Sequence, residues 1–455
     1  MRKISLLAGG LFLFITLVVG AVRLSGLLHS FMASPANILL KDSEGHVNIL
    51  LLGVGDIGHS GANLTDTMIV ASLDVNNPPN IVLLSIPRDL LFLDAKGMSQ
   101  GKINSLYADY KSRYRYEKMN DAESSRSALK ELSATISSKV GISIPYYIKS
   151  DFTAFTQLID SVGGLDVNVP KRIVDYTYPL EEGSVGIYEV QAGLQHMSGE
   201  DALKYVRTRH SSTDFDRSQR QQQILQLLSE KMKKQLSTNP QNLLGIFDIV
   251  KNNVETNFST DELIALARGA RGLSSERFIT MQLNFNSGGN GVKAEPGGFI
   301  YAPPLSEFGS AAILLPIATS PKLDSWSAIA TFARMLTGKR DIYLAHQNII
   351  VRSTGAAYGV ASDLVSEISR YGFTVSEQKA KRGEIFASKP TSTLCYSADQ
   401  KAQKNPALYF SSLLDIPAKE CDGTGSGIVI ELGKSYKFQP IVLLSQDTPP
   451  AALSE

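Results

Sequence analysis

The chain has 455 residues, and its 45 Lys and Arg nearly balance its 44 Asp and Glu, giving a formal net charge of +1. A general nucleic-acid binder is usually basic overall, so this balance excludes that class and predicts no nucleic-acid partner. The length is sufficient for two or three domains. The apolar content of 43% is ordinary for a globular protein and excludes wholesale disorder.

The amino terminus contains a long uncharged segment. Arg2 and Lys3 precede Ile4 to Val22, a run without charges that is long enough to cross a bilayer core. The two cations favour an amino end that stays in the cytoplasm. A cleaved signal peptide has similar flanks, but this run is longer than a usual signal core. Residues 1–24 are therefore expected to form a single-pass cell-membrane anchor, with residues 25–46 as a linker and the bulk of the chain outside the cytoplasm.

Apolar runs and helical patterns then alternate. Val47–Val54 is almost continuously apolar, which indicates a strand buried on both faces, and 67–73 and 81–86 are similar. Helical spacing follows at 124–140, 152–162 and 198–207, with short strands between. This alternation predicts an α/β fold, an α-β-α sandwich with a mixed central sheet, over residues 47–337.

Charged residues follow the predicted strands at the points where these end. Asp56 follows the first strand, Asp66 precedes the second, and Arg88 and Asp89 follow the third, while Lys102 lies in the next motif. Functional residues of twisted α/β sheets tend to lie at strand ends. The two carboxylates of one glycine-rich loop, Asp56 and Asp66, could hold a hard divalent ion such as Mg²⁺.

The stretch from Lys204 to Leu225 concentrates positive charge. The apolar residues Ile224, Leu227 and Leu228 at its end and directly after it recur at helical spacing, and the same stripe continues backwards into cationic residues. A guanidinium on an inward face is costly unless something negative meets it, and its planar fork suits phosphate. The stretch therefore predicts a phosphate pocket that contains Arg207, Arg209, Arg217, Arg220 and Gln221.

A second interpretation of this stretch remains open. The arginines could form a solvated basic helix start with ion pairs to Asp214 and Asp216. The full inventory of carboxylates, guanidiniums and one lysine favours phosphoryl transfer, in which a protein positions the reactants and neutralises charge. A phosphorylated substrate close to the outer side of a membrane is most simply a lipid-linked one.

The carboxyl-terminal part predicts a second, smaller α/β domain over residues 338–436. A strand is expected at 341–351, a helix at 359–371 and a last strand at 428–433, and residues 437–455 are expected to form a flexible tail. Cys395 and Cys421 are too few for a zinc site but could form one disulfide.

Six motifs, in this order, resemble the LytR-CpsA-Psr family of cell-wall enzymes. They are NILLLGVGD at 48–56, LTDTMIVASLD at 64–74, LLSIPRDL at 83–90, GKINSLYADY at 101–110, GGLDVNVP at 163–170 and the stretch at 204–225. The second domain, with VRSTGAAYGVASDLVSEISRYGFTV at 351–375, is similar to the small LytR carboxyl-terminal domain.

The resemblance implies an activity and a set of roles. Family members move a glycopolymer from a polyprenyl-pyrophosphate carrier to peptidoglycan, usually to the muramic acid 6-hydroxyl, and the carrier's lipid tail lies in an apolar tunnel. Asp66 matches the metal-binding aspartate, with Mg²⁺ or Mn²⁺ as the cofactor, and Asp89 matches an acid with a structural role. The matches to the pyrophosphate ligands are Arg88, Lys102, Arg207, Arg209, Arg217 and Gln221.

One departure from the family pattern concerns the metal. The family usually has Gly-Val-Asp after its first strand, but here Gly55 occupies the slot of that aspartate and Asp56 follows it. Leu64 occupies the slot of an arginine before the second strand. Either Asp56 shifts into the metal-binding role or the metal depends mainly on Asp66. The expected catalytic residues are thus Arg88, Asp66 and Asp56.

Three functions share this residue set. The first is metal-dependent glycopolymer transfer to peptidoglycan. The second is hydrolysis of a lipid pyrophosphate, with water as the acceptor. The third is a non-catalytic envelope regulator or binding protein that keeps the pocket without the metal, which the changes at Gly55 and Leu64 would favour.

Overall fold

The computed structural model describes residues 38–55, 63–76, 78–92, 101–179, 184–208, 220, 223–224, 227–228, 231, 254–270, 273–286, 294–308, 312–318, 323–380, 386–397, 401–421 and 427–444. Its chain divides into two compact units. The first contains the described residues up to Ile136 and those from Ser143 to Thr280, and the second contains Ser137–Ile142 and the described residues from Met281 onward.

The described strands of the first part of the chain are β1 (Val47–Val54), β2 (Thr65–Asp74), β3 (Asn80–Ser85), β4 (Leu91–Phe92), β5 (Gly101–Lys102), β6 (Tyr146–Ser150), β7 (Leu165–Val169), β8 (Ile173–Pro179), β9 (Val185–Val190), β10 (Gly193–Met197), β11 (Val254–Thr256) and β12 (Phe278–Gln282). The described helices here are α1 (Leu106–Tyr116), α2 (Asp121–Val140), α3 (Phe152–Ser161), α4 (Gly199–Arg207) and α5 (Thr260–Gly269), with 3-10 turns at Ile103–Ser105 and Ser275–Arg277.

The central sheet is mixed, as the sequence predicts. Within the described residues its strand order is β11-β6-β1-β2-β3-β12. β1 runs parallel to β6 and antiparallel to β2, and β2 is antiparallel to β3. Short connections explain the antiparallel pairs, whereas the parallel pair needs the long crossover through α1 and α2.

Helices cover both faces of this sheet. One face carries Ile49, Ala71 and Leu83, which pack in a single core with Leu266 of α5. Because side chains alternate along a strand, Leu52 of β1 lies on the opposite face. Lys149 of β6 pairs with Leu52 and lies on that face too, where it contacts Tyr107 of α1. The fold of the first unit is therefore an α/β sandwich.

The segment before β1 is docked rather than extended. Leu39 is 6% exposed and belongs to the core, and the backbone N–H of Leu40 donates to the Tyr146 hydroxyl at 2.8 Å. The described end of the predicted linker, residues 38–46, therefore packs on the first unit. Among the residues that the structure describes, none of the helices combines the length and apolarity needed to cross a bilayer. The predicted anchor at Ile4–Val22 lies outside them.

Asp42 fixes the start of β1 and makes stability depend on pH. Its carboxylate accepts hydrogen bonds from the His46 N–H at 2.9 Å and the Asn48 amide at 2.8 Å. Burial alone would raise the pKa of Asp42, but hydrogen bonds from His46 and Asn48 outweigh it and lower this pKa to about 2. Because the folded pKa lies below the unfolded value of 3.8, the stabilisation is present above pH 4 and is lost as the pH falls towards 2.

We expect Asp42→Asn to remove this dependence. Between pH 4 and pH 2, the free energy of unfolding of the wild type should fall by up to about 2 kcal/mol more than that of the variant. Urea unfolding at a series of pH values measures the difference. Parallel pH profiles for the two proteins would contradict the assigned role of Asp42.

The described strands of the later part are β13 (Asn284–Phe285), β14 (Gly298–Tyr301), β15 (Leu315–Pro316), β16 (Asn348–Ser353), β17 (Val375–Glu377), β18 (Thr393–Tyr396), β19 (Ala418–Glu420) and β20 (Gly427–Leu432). The described helices are α6 (Ser327–Gly338), α7 (Arg340–Leu344), α8 (Val360–Arg370), α9 (Lys401–Leu414) and α10 (Ile441–Leu444), with a 3-10 turn at Leu305–Phe308.

The second unit has a sheet of its own. Its order within the described residues is β17-β16-β20-β18-β19, and β16, β17 and β20 are parallel. The described part of this unit is α/β, and the small LytR carboxyl-terminal domain expected over residues 338–436 stays a prediction. The helix α6 lies in this second unit, although all but its last residue falls within the range 47–337 expected for the first domain. The boundary predicted at 337/338 stays a prediction.

Two sequence expectations differ from the structure here. Residues 340–344 form a helix and the strand begins only at Asn348, because a short apolar run does not distinguish a helical turn from a strand. The tail expected from 437 includes α10, whose Ile441 and Val442 are buried because they are apolar. Residues 445–455 lie outside the described residues. A disulfide joins Cys395 and Cys421, with their Cα atoms 5.4 Å apart.

Candidate functional site

Four strand ends meet at one edge of the central sheet. Gly53 near the end of β1 pairs with Ser150 at the end of β6 and with Thr67 near the start of β2. Ser85 at the end of β3 pairs with Ile69 of β2. Neighbouring strands lie about 4.8 Å apart, so residues that follow or precede these ends are close in space.

A cluster of alternating charges occupies this edge. We call Asp66, Arg88, Asp89 and Lys102 the charged cluster. The Arg88 guanidinium donates to the Asp66 carboxylate at 2.9 Å and lies 3.6 Å from that of Asp89. The Lys102 ammonium donates to Asp89 at 2.6 Å. The structure thus brings together four residues that the sequence places before the second strand, after the third strand and in the motif that follows.

The charged cluster faces solvent in part. The exposed fractions of the side chains are 19% for Arg88, 44% for Asp66, 30% for Asp89 and 33% for Lys102. Partly exposed ion pairs of this kind contribute little to stability. These ion pairs therefore add little to the stability of the fold, and the four charged groups stay partly accessible to solvent.

Local pairing explains how Lys102 reaches Asp89. Pro87 ends the extended chain after β3, and the N–H of Leu90 donates back to the Pro87 carbonyl at 3.2 Å, which makes a turn. Leu91 of β4 then pairs with Lys102 of β5. Leu90 and Leu91 are buried, so the turn is anchored and its charged residues stay at the edge.

Asn104 is a site residue that no sequence pattern indicates. It is 8% exposed, and its amide donates to the Asp66 carboxylate at 3.4 Å. Its N–H donates to the Arg88 carbonyl at 3.4 Å, and its own carbonyl accepts from the Thr65 hydroxyl at 3.2 Å. Asn104 therefore links three segments of the site. An asparagine between a strand and a helix gives no such signal in sequence, since it is commoner as a turn or cap residue.

Arg207 lies at the same edge through a different element. It ends α4, the helix expected at 198–207, which starts with a capping box between Ser198 and Asp201. Its guanidinium lies 4.8 Å from the ring centre of Phe152, which follows β6, and 5.8 Å from that of Tyr178. Cation–π contacts of this kind hold a guanidinium in place.

Arg220 faces inward, as its helical stripe predicts, but protein oxygens surround it. It is 6% exposed, and its Nε donates to the Tyr205 carbonyl at 2.8 Å. Another nitrogen of the same guanidinium donates to the Thr208 carbonyl. Ile224 and Leu228 of the stripe are buried in the core. The role of Arg220 in pyrophosphate binding stays a prediction.

Four of the predicted site residues are not described. Asp56, Arg209, Arg217 and Gln221 lie outside the described residues, and their roles stay predictions.

Asp66 is chemically suited to a magnesium ion. No group of three or more His, Cys, Asp or Glu in the described part of the chain could hold a metal by itself. Mg²⁺, however, takes few protein oxygens and shares the remainder between phosphate and water. The half-exposed Asp66 has one carboxylate oxygen bonded to Arg88 and Asn104, which fixes its orientation and leaves the second for a cation.

Comparisons with known proteins identify the family of this chain. A model of the LytR_cpsA_psr family matches residues 29–300. The polyisoprenyl-teichoic acid–peptidoglycan teichoic acid transferase TagV of Bacillus subtilis (strain 168) is 33% identical over 242 residues, 52% of this chain and 56% of TagV. TagU of Oceanobacillus iheyensis, which has the same transferase name, is 30% identical over 293 residues, 61% of this chain and 80% of TagU.

Other similar proteins include a regulator and solved structures. Regulatory protein MsrR of Staphylococcus aureus (strain Mu50) is 30% identical over 193 residues, 42% of this chain and 50% of MsrR. The chain therefore spans about half the length of TagV and of MsrR. The crystal structure of B. subtilis TagV aligns with a TM-score of 0.43 at 26% identity, covering 64% of this chain and 97% of that one. Because the family model covers more than half of its residues, this chain belongs to the LytR_cpsA_psr family.

Proposed function

We propose that this chain transfers a glycopolymer from a polyprenyl-pyrophosphate carrier to peptidoglycan and leaves it attached through a phosphodiester bond. The observation that carries the proposal is the charged cluster, which presents Arg88 and Lys102 beside Asp66 at the sheet edge where Arg207 also lies. The names of TagV and TagU, both teichoic acid transferases, support this class of reaction.

The opposite charges within the charged cluster cancel, so binding of an anionic pyrophosphate requires further positive charge at the site. Asp66 and Asp89 neutralise Arg88 and Lys102, so the charged cluster offers no net positive charge to an anionic pyrophosphate. Arg207 adds one guanidinium, and Arg209 and Arg217 are proposed to add two more. Mg²⁺ or Mn²⁺ held by Asp66, together with Asp56, would supply further neutralisation of the phosphate oxygens when bound.

The proposed reaction is a phosphoryl transfer. A peptidoglycan hydroxyl oxygen forms a bond to the sugar-side phosphorus, and the bond from that phosphorus to the bridging oxygen breaks. The electron pair leaves with polyprenyl phosphate, and the hydroxyl proton passes to a site carboxylate, for which Asp66 is the described candidate and Asp56 the second. Arg88, Lys102 and Arg207 orient the two phosphates and neutralise the charge that moves to the leaving oxygen.

The proposed location follows from the substrate. A polyprenyl carrier lies in a membrane, so the protein is proposed to be held there by residues 1–24, with its bulk outside the cytoplasm. The apolar tunnel for the lipid tail and the role of the second unit stay predictions.

The test uses the full-length chain in detergent with a synthetic polyprenyl-pyrophosphoryl sugar, Mg²⁺ and a peptidoglycan oligomer. Transfer predicts a sugar–phosphate–peptidoglycan product, detected by mass spectrometry, and an equal amount of polyprenyl phosphate. Release of free sugar phosphate without that product would show that water is the acceptor, and hydrolysis would then take the place of transfer as the proposed function. Tight carrier binding without either product would favour the regulatory role suggested by the name of MsrR.

A further inference from the structure

Arg220 is tied to the end of the helix that presents Arg207. Its guanidinium donates to the carbonyls of Tyr205 and Thr208, which lie on the two sides of Arg207 in the chain. The last carbonyls of a helix have no partners within it and carry partial negative charge. Arg220 is a buried cation that bonds the Tyr205 carbonyl in the last turn of α4 and the Thr208 carbonyl directly after the helix. It therefore fixes the backbone from which Arg207 projects.

A buried carboxylate, that of Asp175, also holds Thr208, through the side chain of that threonine. The Thr208 hydroxyl donates to the Asp175 carboxylate at 2.6 Å. Thr208 is fully buried and Asp175 is 2% exposed, so Thr208 lies between a buried cation and a buried anion. Asp175 belongs to β8, the strand that also supplies Tyr178 beneath the Arg207 guanidinium. The hydrogen bonds at Thr208 thus fix the backbone next to Arg207. They also connect it to β8, the strand that carries Tyr178, one of the two rings that the Arg207 guanidinium contacts.

A third bond holds the helix itself. The Tyr205 hydroxyl donates to the side-chain oxygen of Gln223 at 3.0 Å, and the Gln223 amide donates to the Asn168 carbonyl at 2.7 Å. Arg220 and Gln223 are both helical. Arg220 therefore holds the carbonyl of Tyr205, and Gln223, which is close to Arg220 in the chain, holds its hydroxyl.

We propose that Arg220 is a positioning residue for Arg207 and does not itself bind the pyrophosphate. It acts by holding the carbonyls of Tyr205 and Thr208, which keeps the Arg207 guanidinium against Phe152 and Tyr178 at the edge that carries Arg88. This inference rests on the proposed function. It also explains why a cation on the inward stripe is tolerated, because two carbonyl oxygens meet it.

The test is a double-mutant cycle between Arg207 and Arg220 in the full-length protein. The probe is inorganic pyrophosphate, and its Kd is measured by calorimetry for the wild type, Arg207→Gln, Arg220→Lys and the double variant. Lysine keeps the charge of Arg220 but cannot bond two carbonyls in a fixed fork. Each single variant is expected to weaken binding about tenfold, because one charge-assisted contact is lost or displaced. The double variant is expected to bind within about twofold of Arg207→Gln, because Arg220 acts through Arg207.

Losses that multiply in the double variant would show that Arg220 contacts pyrophosphate itself, and an unchanged Kd for Arg220→Lys would show that it positions nothing. Either result overturns the inference while the proposed function stands. A wild type that neither binds pyrophosphate nor transfers a glycopolymer removes the proposed function and this inference with it.

A second variant guards against misfolding of Arg220→Lys. Thr208→Val keeps the side-chain size and removes the bond to Asp175 from the same anchor. It is expected to weaken pyrophosphate binding only when Arg207 is present, with the melting temperature recorded for each protein. An equal effect of Thr208→Val with and without Arg207 would overturn the inference.

Discussion

Arg88→Gln is expected to reduce glycopolymer transfer about 100-fold or more, because removing one charged donor from a site that stabilises developing charge costs that much. Arg88 is the residue of the charged cluster that contacts both carboxylates, with Asp66 at 2.9 Å and Asp89 at 3.6 Å. Its loss removes a phosphate donor and leaves Asp66 without its ion pair. The initial rate of product formation at saturating carrier measures the effect, and the melting temperature shows whether the fold is kept.

The matched control for this variant is Arg172→Gln. Arg172 also forms an arginine–carboxylate pair at 2.9 Å, with Glu189 of β9, but this arginine is more exposed than Arg88 and lies directly before β8. Transfer by the control should equal that of the wild type. An equal loss in both variants would mean that the effect is structural, and near-normal transfer by Arg88→Gln would remove Arg88 from the mechanism.

Asp66→Asn is expected to reduce transfer by a similar factor of about 100 or more, with little loss of stability. Asparagine has the shape of aspartate, and its carbonyl oxygen still accepts from Arg88, but the negative charge is gone. A cation at this position would lose its carboxylate ligand, and the hydroxyl proton would lose an acceptor. The side chain is 44% exposed, so unfolding should change by less than about 1 kcal/mol.

Asp74→Asn provides the control on the same strand. Asp66 lies at the start of β2 and Asp74 at its end, where its carboxylate accepts from Asn76 and Asn80 in a turn. Transfer and its magnesium dependence should be unchanged in this control. If Asp66→Asn keeps normal transfer at every magnesium concentration, the proposed roles of Asp66 as ligand and as proton acceptor are both wrong.

The elements of the first unit were largely predictable because their patterns are local. The continuous apolar run at 47–54 indicates a strand buried on both faces, and the structure has β1 there. The pair Ser198 and Asp201 indicates a helix start, and both capping bonds are present. Residues 340–344 show the limit, since five residues with an apolar pattern suit either a strand or a helical turn.

The grouping of the charged cluster was also predictable in outline. Asp66, Arg88 and Asp89 follow or precede strands, and strand ends of one sheet meet at its edges. The partners were not predictable. That Asn104 would hold Asp66, or that Tyr178 and Phe152 would flank Arg207, depends on which strands become neighbours and on their register.

By itself, the sequence determined the family, the mixed α/β class of the first unit and the inward direction of Arg220, because motif order and hydrophobic period are properties of the chain alone. Only the tertiary structure decided what the inward guanidinium meets. Its partners are the carbonyls of Tyr205 in α4 and of Thr208 directly after that helix, and a backbone carbonyl carries no mark in the sequence that would reveal its partner.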